Sequence, residues 1–296
     1  MKSVSNTDPV PESSATQSSA PNGARLTSVA PGAAGAAVQP VHDPLISVGR
    51  AAPRPMPETV IGDDDRTRVP DSSATPWRRI CQLDLKGPRG TFKGTGWIAG
   101  PATVVTAGHC VHYQPFFRGW ADEIIVSPGR NDDLRPVTPQ TATRFSTPDI
   151  WRDRSDRDHD IGCIHLETPI GDETGIFAFG VLPDAELLGL HVNIAGYPTD
   201  LDKARVQYHH ASAIGATTER RLFYDVDTVA GQSGAPVFVQ QHPDAPPLVV
   251  GVHAYGTPGT PAEMNLVANS APRLNHDIFA LISGWVADDN ARLGLS

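Results

Sequence analysis

The chain has 296 residues, of which 27 are glycine and 28 are proline, and its formal net charge is -9. This length allows one large two-part domain, or two ordinary domains, together with a tail. The acidic balance argues against binding to nucleic acid or to an anionic membrane. The sequence contains no apolar run long enough to span a bilayer.

The first 58 residues differ in composition from the rest of the chain. They contain nine prolines and no aromatic residue, and the first aromatic side chain is that of Trp77. Such a segment buries too little apolar surface to offset the entropy lost on ordering. Residues 1–58 are therefore predicted to be disordered, as a pro-segment or as a simple tail. No standard signal peptide is visible, which leaves another export route, a missing start or no export.

From about residue 76, short apolar runs alternate with clusters of Gly, Pro, Asp and Asn, as in an all-β barrel or sandwich. The apolar residues Ile278, Leu281, Ile282 and Trp285 follow helical spacing and predict one helix near the C-terminus. The predicted strands are residues 80–85, 95–98, 103–107, 123–126, 162–166, 191–195, 222–226, 236–239 and 248–252.

A serine flanked by glycines lies in the segment DTVAGQSGAP at 227–236. Gly231 lets the backbone turn so that the N–H groups of Gly231 and Ser233 point the same way and can hold an oxyanion. Because residue 235 is alanine, the segment is not the G-x-S-x-G elbow of α/β-hydrolases. On its own the pattern fits a nucleophile or an ordinary turn between strands.

Two other segments supply the partners that a nucleophilic serine needs. The segment VVTAGHC at 104–110 ends in small residues that present His109, and DHDIGCIHL at 158–166 places Asp160 directly before an apolar strand. A buried carboxylate there can accept the imidazole N–H and fix its tautomer. Taken singly, each segment has a structural explanation. Together, His109, Asp160 and Ser233 follow the order of the chymotrypsin-like catalytic triad.

The chain resembles the bacterial glutamyl endopeptidases, a branch of the chymotrypsin-like serine proteases that cleaves after acidic residues. The similarity runs through most of residues 59–296. The resemblance implies an all-β fold of two six-stranded antiparallel β-barrels, with the active site between them and a C-terminal helix. The segments that carry it are VIG at 60–62, DRTRV at 65–69, GTGW at 94–97, TAGHC at 106–110, SPGRN at 127–131, GYP at 196–198, DT at 227–228, GQSG at 231–234 and VH at 252–253.

The resemblance also implies a pocket for an acidic P1 side chain, the residue before the scissile bond. Its walls would be His253, Thr228 and the α-amino group of a processed chain that starts near Thr59 and Val60. A carboxylate that leaves water needs hydroxyl and cationic partners, and a histidine beside it can become cationic. Because Glu58 precedes Thr59, the enzyme could release its own leader there and leave 59–296 as the protease domain. Cleavage nearby by another protease is the alternative.

The three cysteines, Cys81, Cys110 and Cys163, permit at most one internal disulfide bond. Relatives often carry a cysteine at the position of Gly94, bridged to the cysteine that matches Cys110, and this chain cannot form that bridge. A Cys81–Cys110 bridge is expected as a substitute, with Cys163 as a small buried side chain.

The predicted function is that of a serine endopeptidase. His109 takes the proton of Ser233, the N–H groups of Gly231 and Ser233 hold the oxyanion, and no metal or cofactor is needed. The expected partners are polypeptide substrates, and the protein is expected to be a secreted monomer. One alternative is cleavage after Lys or Arg, with Asp227 in the pocket. The other is a non-catalytic binding protein on a protease scaffold, against which the complete triad argues.

Overall fold

The computed structural model describes residues 1–8, 58–240 and 245–295. The strands of these residues are β1 (Ser3–Ser5), β2 (Thr67–Arg68), β3 (Ile80–Gly87), β4 (Gly90–Gly100), β5 (Thr103–Thr106), β6 (His112–Tyr113), β7 (Gly119–Trp120), β8 (Glu123–Pro128), β9 (Gln140–Ala142), β10 (Arg144–Pro148), β11 (Gly162–His165), β12 (Ala178–Phe179), β13 (His191–Gly196), β14 (Tyr208–Thr217), β15 (Arg221–Tyr224), β16 (Pro236–Val239), β17 (Leu248–Val252) and β18 (Asn269–Pro272). The α-helices are α1 (Gly108–Val111), α2 (Gln114–Phe117), α3 (Asp149–Arg154), α4 (Gly171–Thr174), α5 (Asp184–Leu187) and α6 (His276–Leu293).

The first large sheet has the strand order β1-β10-β11-β5-β4-β3-β8-β9, and every neighbouring pair in it is antiparallel. Its strands place apolar side chains on a shared buried face, including those of Leu83, Ile98, Val104, Ile124 and Phe145. Burial of these aliphatic and aromatic groups is the main force that closes the sheet around its core.

The second large sheet has the order β12-β17-β16-β13-β14-β15-β18, with β2 added to β14. The long C-terminal helix α6 starts at Asn275, whose side chain accepts from Ile278 N at 3.0 Å, and ends at Gly294 in the left-handed conformation. Its side chains Ile282 and Trp285 pack in a cluster with Trp97 of the first sheet and with residues of the second. The helix therefore contributes to the core that the two sheets share.

The predicted architecture is confirmed in its main features. Each of the nine predicted strands overlaps an observed strand, and the predicted helix is α6. Each large sheet has eight strands in the described part of the chain, rather than the six expected, and β12 pairs with β17 in parallel. Three of the additional strands, β1, β2 and β12, have only two or three residues each. Backbone pairing at a sheet edge can form such strands without an apolar run in the sequence.

The prediction that residues 1–58 are disordered is wrong for residues 1–8, because β1 pairs with β10 along Ser3↔Pro148, Val4↔Thr147 and Ser5↔Ser146. Composition over a long window does not reveal a short edge strand, which depends on main-chain hydrogen bonds. Residues 9–57 of that segment lie outside the described residues. Among the residues that are described, no helix is both long and apolar enough to cross a membrane.

The expected Cys81–Cys110 disulfide is wrong, because Cys81, Cys110 and Cys163 are all free and buried. A Cβ atom built on Gly94 would lie 3.1 Å from Cys110 Sγ. The position that faces Cys110 is therefore residue 94 on β4, where glycine supplies no sulfur. The burial expected for Cys163 is confirmed.

Candidate active site

Two loops of the first sheet bring His109 and Asp160 together. His109 lies on α1 just after β5, and Asp160 precedes β11, which pairs with β5 through Gly162 and Thr106. Asp160 Oδ2 lies 2.8 Å from His109 Nδ1, and Asp160 Oδ1 accepts from His109 N at 2.8 Å. Both residues are buried. The carboxylate thus fixes both the backbone and the ring of the histidine.

A third donor to Asp160 comes from the second sheet, where the Tyr255 hydroxyl donates to Oδ2 at 2.5 Å. The guanidinium of Arg221 lies 5.1 Å from the centre of the Tyr255 ring. Burial by itself lowers the pKa of His109, but the Asp160 carboxylate favours the imidazolium, so the pKa of His109 is well above its ordinary value. The arrangement is suited to stabilising positive charge on the imidazole during a reaction.

The serine loop depends on two glycines with positive φ. At Gly231 (φ 101°) a Cβ atom would lie 2.4 Å from Tyr197 O, and at Gly234 (φ 89°) it would lie 2.1 Å from Thr95 O. Only glycine fits both the conformation and the space. Within the described residues, the N–H groups of Gly231 and Ser233 donate to no other protein group. They are free to donate to an acceptor such as an oxyanion.

Ser233 is paired with a residue that the sequence analysis did not place there. Its Oγ donates to the carboxylate of Glu58, and no Ser233–His109 hydrogen bond forms among the described residues. Glu58 is only 7 % exposed. Burial raises the pKa of the Glu58 carboxyl, and the hydrogen bond from Ser233 and the charge of His109 offset this only in part. In the uncut chain, a glutamate side chain therefore occupies the position beside the serine.

The same carboxylate faces the predicted P1 pocket, since Glu58 Oε1 lies 3.8 Å from His253 Nε2. His253 Nδ1 lies 2.7 Å from the Tyr224 hydroxyl. When that hydroxyl donates to Nδ1, the ring proton is on Nε2 and points to Glu58. Burial, and then the charge of His109, lower the pKa of His253 to about 3. The lowered pKa favours the neutral form of His253 in the uncut chain; the cation is expected only once a substrate carboxylate binds beside it.

Two buried polar atoms of this pocket have no hydrogen-bond partner in the part of the chain that the structure describes. They are His253 Nε2 and Thr228 Oγ1, and both side chains are fully buried. Such atoms are rare in native proteins because an unpaired buried donor is costly. A buried N–H and a buried hydroxyl without partners are each suited to bind an acceptor such as a carboxylate.

The residues after Glu58 are fixed in the second sheet by main-chain contacts. Thr59 N donates to Asn269 Oδ1 at 3.2 Å, and Thr59 O accepts from Asn269 Nδ2 at 2.6 Å. The buried Asp227 carboxylate accepts from Ile61 N at 2.7 Å and from Asp65 N at 2.9 Å. Asp227 therefore binds this segment with both of its oxygens. Val60 lies half-buried between these anchors.

A cleft of about 380 Å³ opens at Ser233, Glu58 and His109, and its other walls include Leu85, Phe92, Lys93, Phe116 and Ala230. Phe92 and Phe116 stack with their ring centres 4.0 Å apart. The cleft is large enough for side chains of a bound polypeptide next to the serine.

Within the part of the chain that the structure describes, two other groups of side chains have the composition of a metal site, namely Cys163, His165 and Asp289, and Asp65, His210 and Asp227. In the first, Asp289 already accepts from Thr103 Oγ1 and from the Arg292 guanidinium, and it pairs with His165. In the second, Asp227 is engaged as described above. Both groups are therefore accounted for as structural hydrogen-bond networks, and neither includes His109 or Ser233.

Sequence reasoning missed four contributors to the site: Tyr224, Tyr255, Asn269 and the side chain of Glu58. Tyr255 lies two positions after His253, within the segment VHAYG. This proximity is a weak signal, because nothing local to the sequence says that its hydroxyl reaches Asp160.

Comparison with known proteins agrees with this geometry. A family model described as a trypsin-like peptidase domain matches residues 94–243. A glutamyl endopeptidase of Bacillus licheniformis is 35% identical over 231 residues, covering 77% of this chain and 69% of that protein. A Bacillus subtilis protein named as an extracellular metalloprotease is 30% identical over 232 residues, 78% of this chain and 70% of that one.

Among solved structures, a Glu endopeptidase superimposes with a TM-score of 0.68 at 26% identity, covering 77% of this chain and 100% of that chain. A protease from Arthrobacter nicotinovorans, at 18% identity and a TM-score of 0.59, covers 73% of this chain and 98% of its own and shares the fold. The two-sheet architecture is thus the chymotrypsin-like one that the sequence analysis expected. The chain belongs to the trypsin-like serine endopeptidases, in the group that contains the glutamyl endopeptidases.

Proposed function

We propose that this enzyme cleaves polypeptides on the carboxyl side of glutamate, and of aspartate more weakly, with Ser233 as nucleophile, His109 as base and Asp160 as the acid that orients it. The observation that carries the specificity is the buried Glu58 carboxylate, which lies between Ser233 Oγ and His253 Nε2. A site that holds a glutamate side chain in its own uncut chain has the chemistry to hold one from a substrate.

The reaction has two half-reactions, and it can start only after Glu58 has left the site. His109 takes the proton of Ser233 Oγ, which attacks the carbonyl carbon after the P1 residue, and the N–H groups of Gly231 and Ser233 stabilise the oxyanion. His109 then protonates the leaving amine. Water, activated by the same imidazole, releases the acyl group. Asp160 stabilises the imidazolium in both halves and keeps its own charge.

The P1 pocket works by replacing the hydration of a carboxylate. Thr228 Oγ1 and His253 Nε2 are buried and unpaired among the described residues, so a carboxylate that enters gains two donors and satisfies two buried groups that are costly to leave unpaired. A bound carboxylate also raises the pKa of a neighbouring histidine. In the uncut chain burial outweighs this effect, with the Glu58 carboxylate 3.8 Å from Nε2. His253 therefore gains a proton only when a substrate carboxylate lies closer to Nε2 than Glu58 does.

A preference for Lys or Arg at P1 is the weaker candidate within the same class. It would require Asp227 to face the substrate, but its oxygens accept from Ile61 N and Asp65 N. The position that a basic side chain would enter is occupied by hydrogen bonds to the segment after Glu58.

We also propose that the leader, residues 1–58, is removed by a cut at the Glu58–Thr59 bond, which leaves 59–296 as the protease domain. The uncut chain is blocked, because Glu58 occupies the space beside Ser233. It is also not arranged to cut itself. In a cleavage reaction His109 must protonate the leaving nitrogen, which here is Thr59 N, and that atom donates to Asn269. The cut is therefore made by a molecule that is already processed, or by another protease.

The relatives and the acidic composition favour a monomer that acts outside the cell, since one relative is named as extracellular. Export and subunit state are part of this proposal. Size-exclusion chromatography with light scattering tests the monomer.

The deciding experiment is cleavage of matched peptides that differ only at P1 (Glu, Asp, Lys, Arg or Leu) by the processed enzyme, with Ser233→Ala as the blank. Turnover at Glu, with Asp slower and the others near the blank, is expected. Turnover at Lys or Arg would show that Asp227, rather than His253, binds the P1 side chain. No turnover at any peptide would favour a binding protein on a protease scaffold.

A further inference from the structure

We propose that residues 1–8 remain bound to the catalytic domain after the leader is cut, so that the processed enzyme is a non-covalent pair of chains. This inference rests on the proposed function, which includes the cut at Glu58–Thr59. The surface that binds residues 1–8 is the outer edge of β10 together with Trp285 of α6, and its occupant is this segment of the same chain.

The main chain of residues 1–8 completes the edge of the first sheet. The ladder pairs Val4 with Thr147, and it continues at both ends. Asp149 N donates to Lys2 O at 2.9 Å, and Asn6 N donates to Phe145 O at 3.1 Å. Addition of an extended segment to a free sheet edge is a common way to bind a peptide, because each residue contributes backbone hydrogen bonds.

Side chains then fix the register of this segment. The amide of Asn6 bridges β10, since its Nδ2 donates to Thr143 O at 2.7 Å and its Oδ1 accepts from Phe145 N at 2.9 Å. Ser3 Oγ accepts from Trp285 Nε1 at 2.8 Å. Ser5 Oγ donates to Phe145 O at 2.9 Å. These contacts are specific to polar groups at positions 3, 5 and 6, and a segment shifted by one residue would lose them.

Residues 1–8 also provide hydrogen-bond acceptors for buried groups of the catalytic domain. Trp285 is 2 % exposed and Phe145 is fully buried. Loss of residues 1–8 would leave the Trp285 indole N–H and the Phe145 main-chain N–H without their present acceptors, and would turn β10 into an open edge strand. The cut after Glu58 lies far along the chain from residues 1–8, so it breaks none of these contacts.

The test starts from full-length Ser233→Ala protein, which cannot cut itself. A trace of active enzyme cuts it, and native mass spectrometry and size-exclusion chromatography then follow the two fragments. We expect fragments 1–58 and 59–296 to travel together in equal amounts. Asn6→Ala should release the leader about tenfold faster, as the loss of one or two hydrogen bonds implies. The matched control is Lys2→Ala, whose exposed side chain makes no hydrogen bond or ion pair among the described residues.

Separate elution of the two fragments after complete cutting would overturn the inference and leave the proposed function intact. Equal release by Asn6→Ala and Lys2→Ala would overturn the binding surface. If the Glu58–Thr59 bond is not cut, the proposed processing is wrong. An arginine-specific protease, which can cut the leader after Arg25, then decides whether the N-terminal fragment stays bound.

Discussion

The hydroxyl of Tyr255 lies 2.5 Å from Asp160 Oδ2, so the carboxylate that orients His109 also accepts a hydrogen bond from the other sheet. A short bond of this kind to a charged acceptor is stronger than one between neutral groups. It limits both the rotation of Asp160 and the negative charge that Asp160 presents to the imidazole. Tyr255 is thus a positioning residue for the triad.

Replacing Tyr255 by Phe should lower kcat about tenfold, equivalent to about 1.4 kcal/mol of transition-state stabilisation, with little change in KM. Asp160 would then present more charge to His109 and raise its pKa, so the acidic limb of the kcat/KM profile should move to higher pH. Rates on a Glu peptide across the range from acidic to alkaline pH would check this. The control is Tyr113→Phe, since the buried Tyr113 hydroxyl has no partner among the described residues. An unmoved acidic limb in Tyr255→Phe would contradict the role.

The carboxylate of Asp227 provides a second test, which separates the two P1 preferences. Asp227→Asn keeps one acceptor oxygen, so either Ile61 N or Asp65 N loses its partner, at a cost of about 1–3 kcal/mol in unfolding free energy. We expect a lower melting temperature and a higher KM, with Glu still preferred over Lys at P1. Asp225→Asn, at an exposed position two residues away, should leave both quantities unchanged. A specific loss of cleavage at Lys would instead identify Asp227 as a substrate-binding residue.

A cysteine at position 94 should form a disulfide bond with Cys110, because a Cβ atom there would lie 3.1 Å from Cys110 Sγ. The closed loop is close to fifteen residues, for which loop-closure entropy predicts about 3 kcal/mol of stabilisation. The Leu85 side chain, 3.2 Å from that Cβ atom, must shift slightly. Denaturant unfolding of Gly94→Cys with and without reductant measures the gain. Gly94→Ser is the control, and an unchanged free thiol count would refute the geometry.

The buried Glu58 carboxyl predicts a pH dependence of the uncut chain. Its pKa is raised on folding. At low pH the carboxyl is therefore neutral in both the folded and the unfolded state, and it does not lower the free energy of unfolding. As the pH rises through the ordinary pKa toward the raised one, the unfolded state ionises more easily than the folded state, and the folded state loses stability relative to a neutral residue. Glu58→Gln should therefore stabilise the Ser233→Ala chain increasingly as the pH rises above about 4.5.

Thermal unfolding from acidic to neutral pH would follow that difference between the Ser233→Ala chain and the same chain carrying Glu58→Gln. Glu186→Gln, at an exposed glutamate, should show no such trend. A difference that stays constant at all pH values would mean that burial does not raise the pKa of the Glu58 carboxyl.

The position of Thr59 N predicts that processing is intermolecular. Thr59 N, the leaving nitrogen, donates to Asn269 Oδ1, and Ser233 Oγ donates to the Glu58 side chain. The uncut chain is therefore not arranged for cleavage of its own bond, and we expect a processed molecule to cut an uncut one. With a trace of processed enzyme present in a fixed ratio to the uncut chain, tenfold dilution of the mixture should slow the initial fractional rate of cutting about tenfold, as for any second-order step. Quantitative gel analysis, with N-terminal sequencing to identify Thr59 as the new first residue, measures this. A fractional rate that does not depend on concentration would show that the chain cuts itself.

Local sequence was sufficient to predict several parts of this protein. Gly231 and Gly234 are recognisable because positive φ and close backbone approach leave no other choice, and the run before His109 has the spacing of a buried strand. The amphipathic spacing of α6 likewise depends only on residues a few positions apart. Such features arise from backbone sterics and from periodic burial, which a sequence displays directly.

The remaining features depend on contacts between residues far apart in the chain, which no local pattern encodes. Only the tertiary structure shows that the Tyr255 hydroxyl donates to Asp160 and that the Glu58 carboxylate lies beside Ser233. It also shows that Asp227 accepts hydrogen bonds from the residues after Glu58. It also placed residues 3–5 on the edge of β10, which is distant from them in sequence. The sequence by itself determined which residue types could do the chemistry, because motifs are local. Only the packing of the two sheets decided which of them meet, because burial and hydrogen-bond pairing act on the whole chain at once.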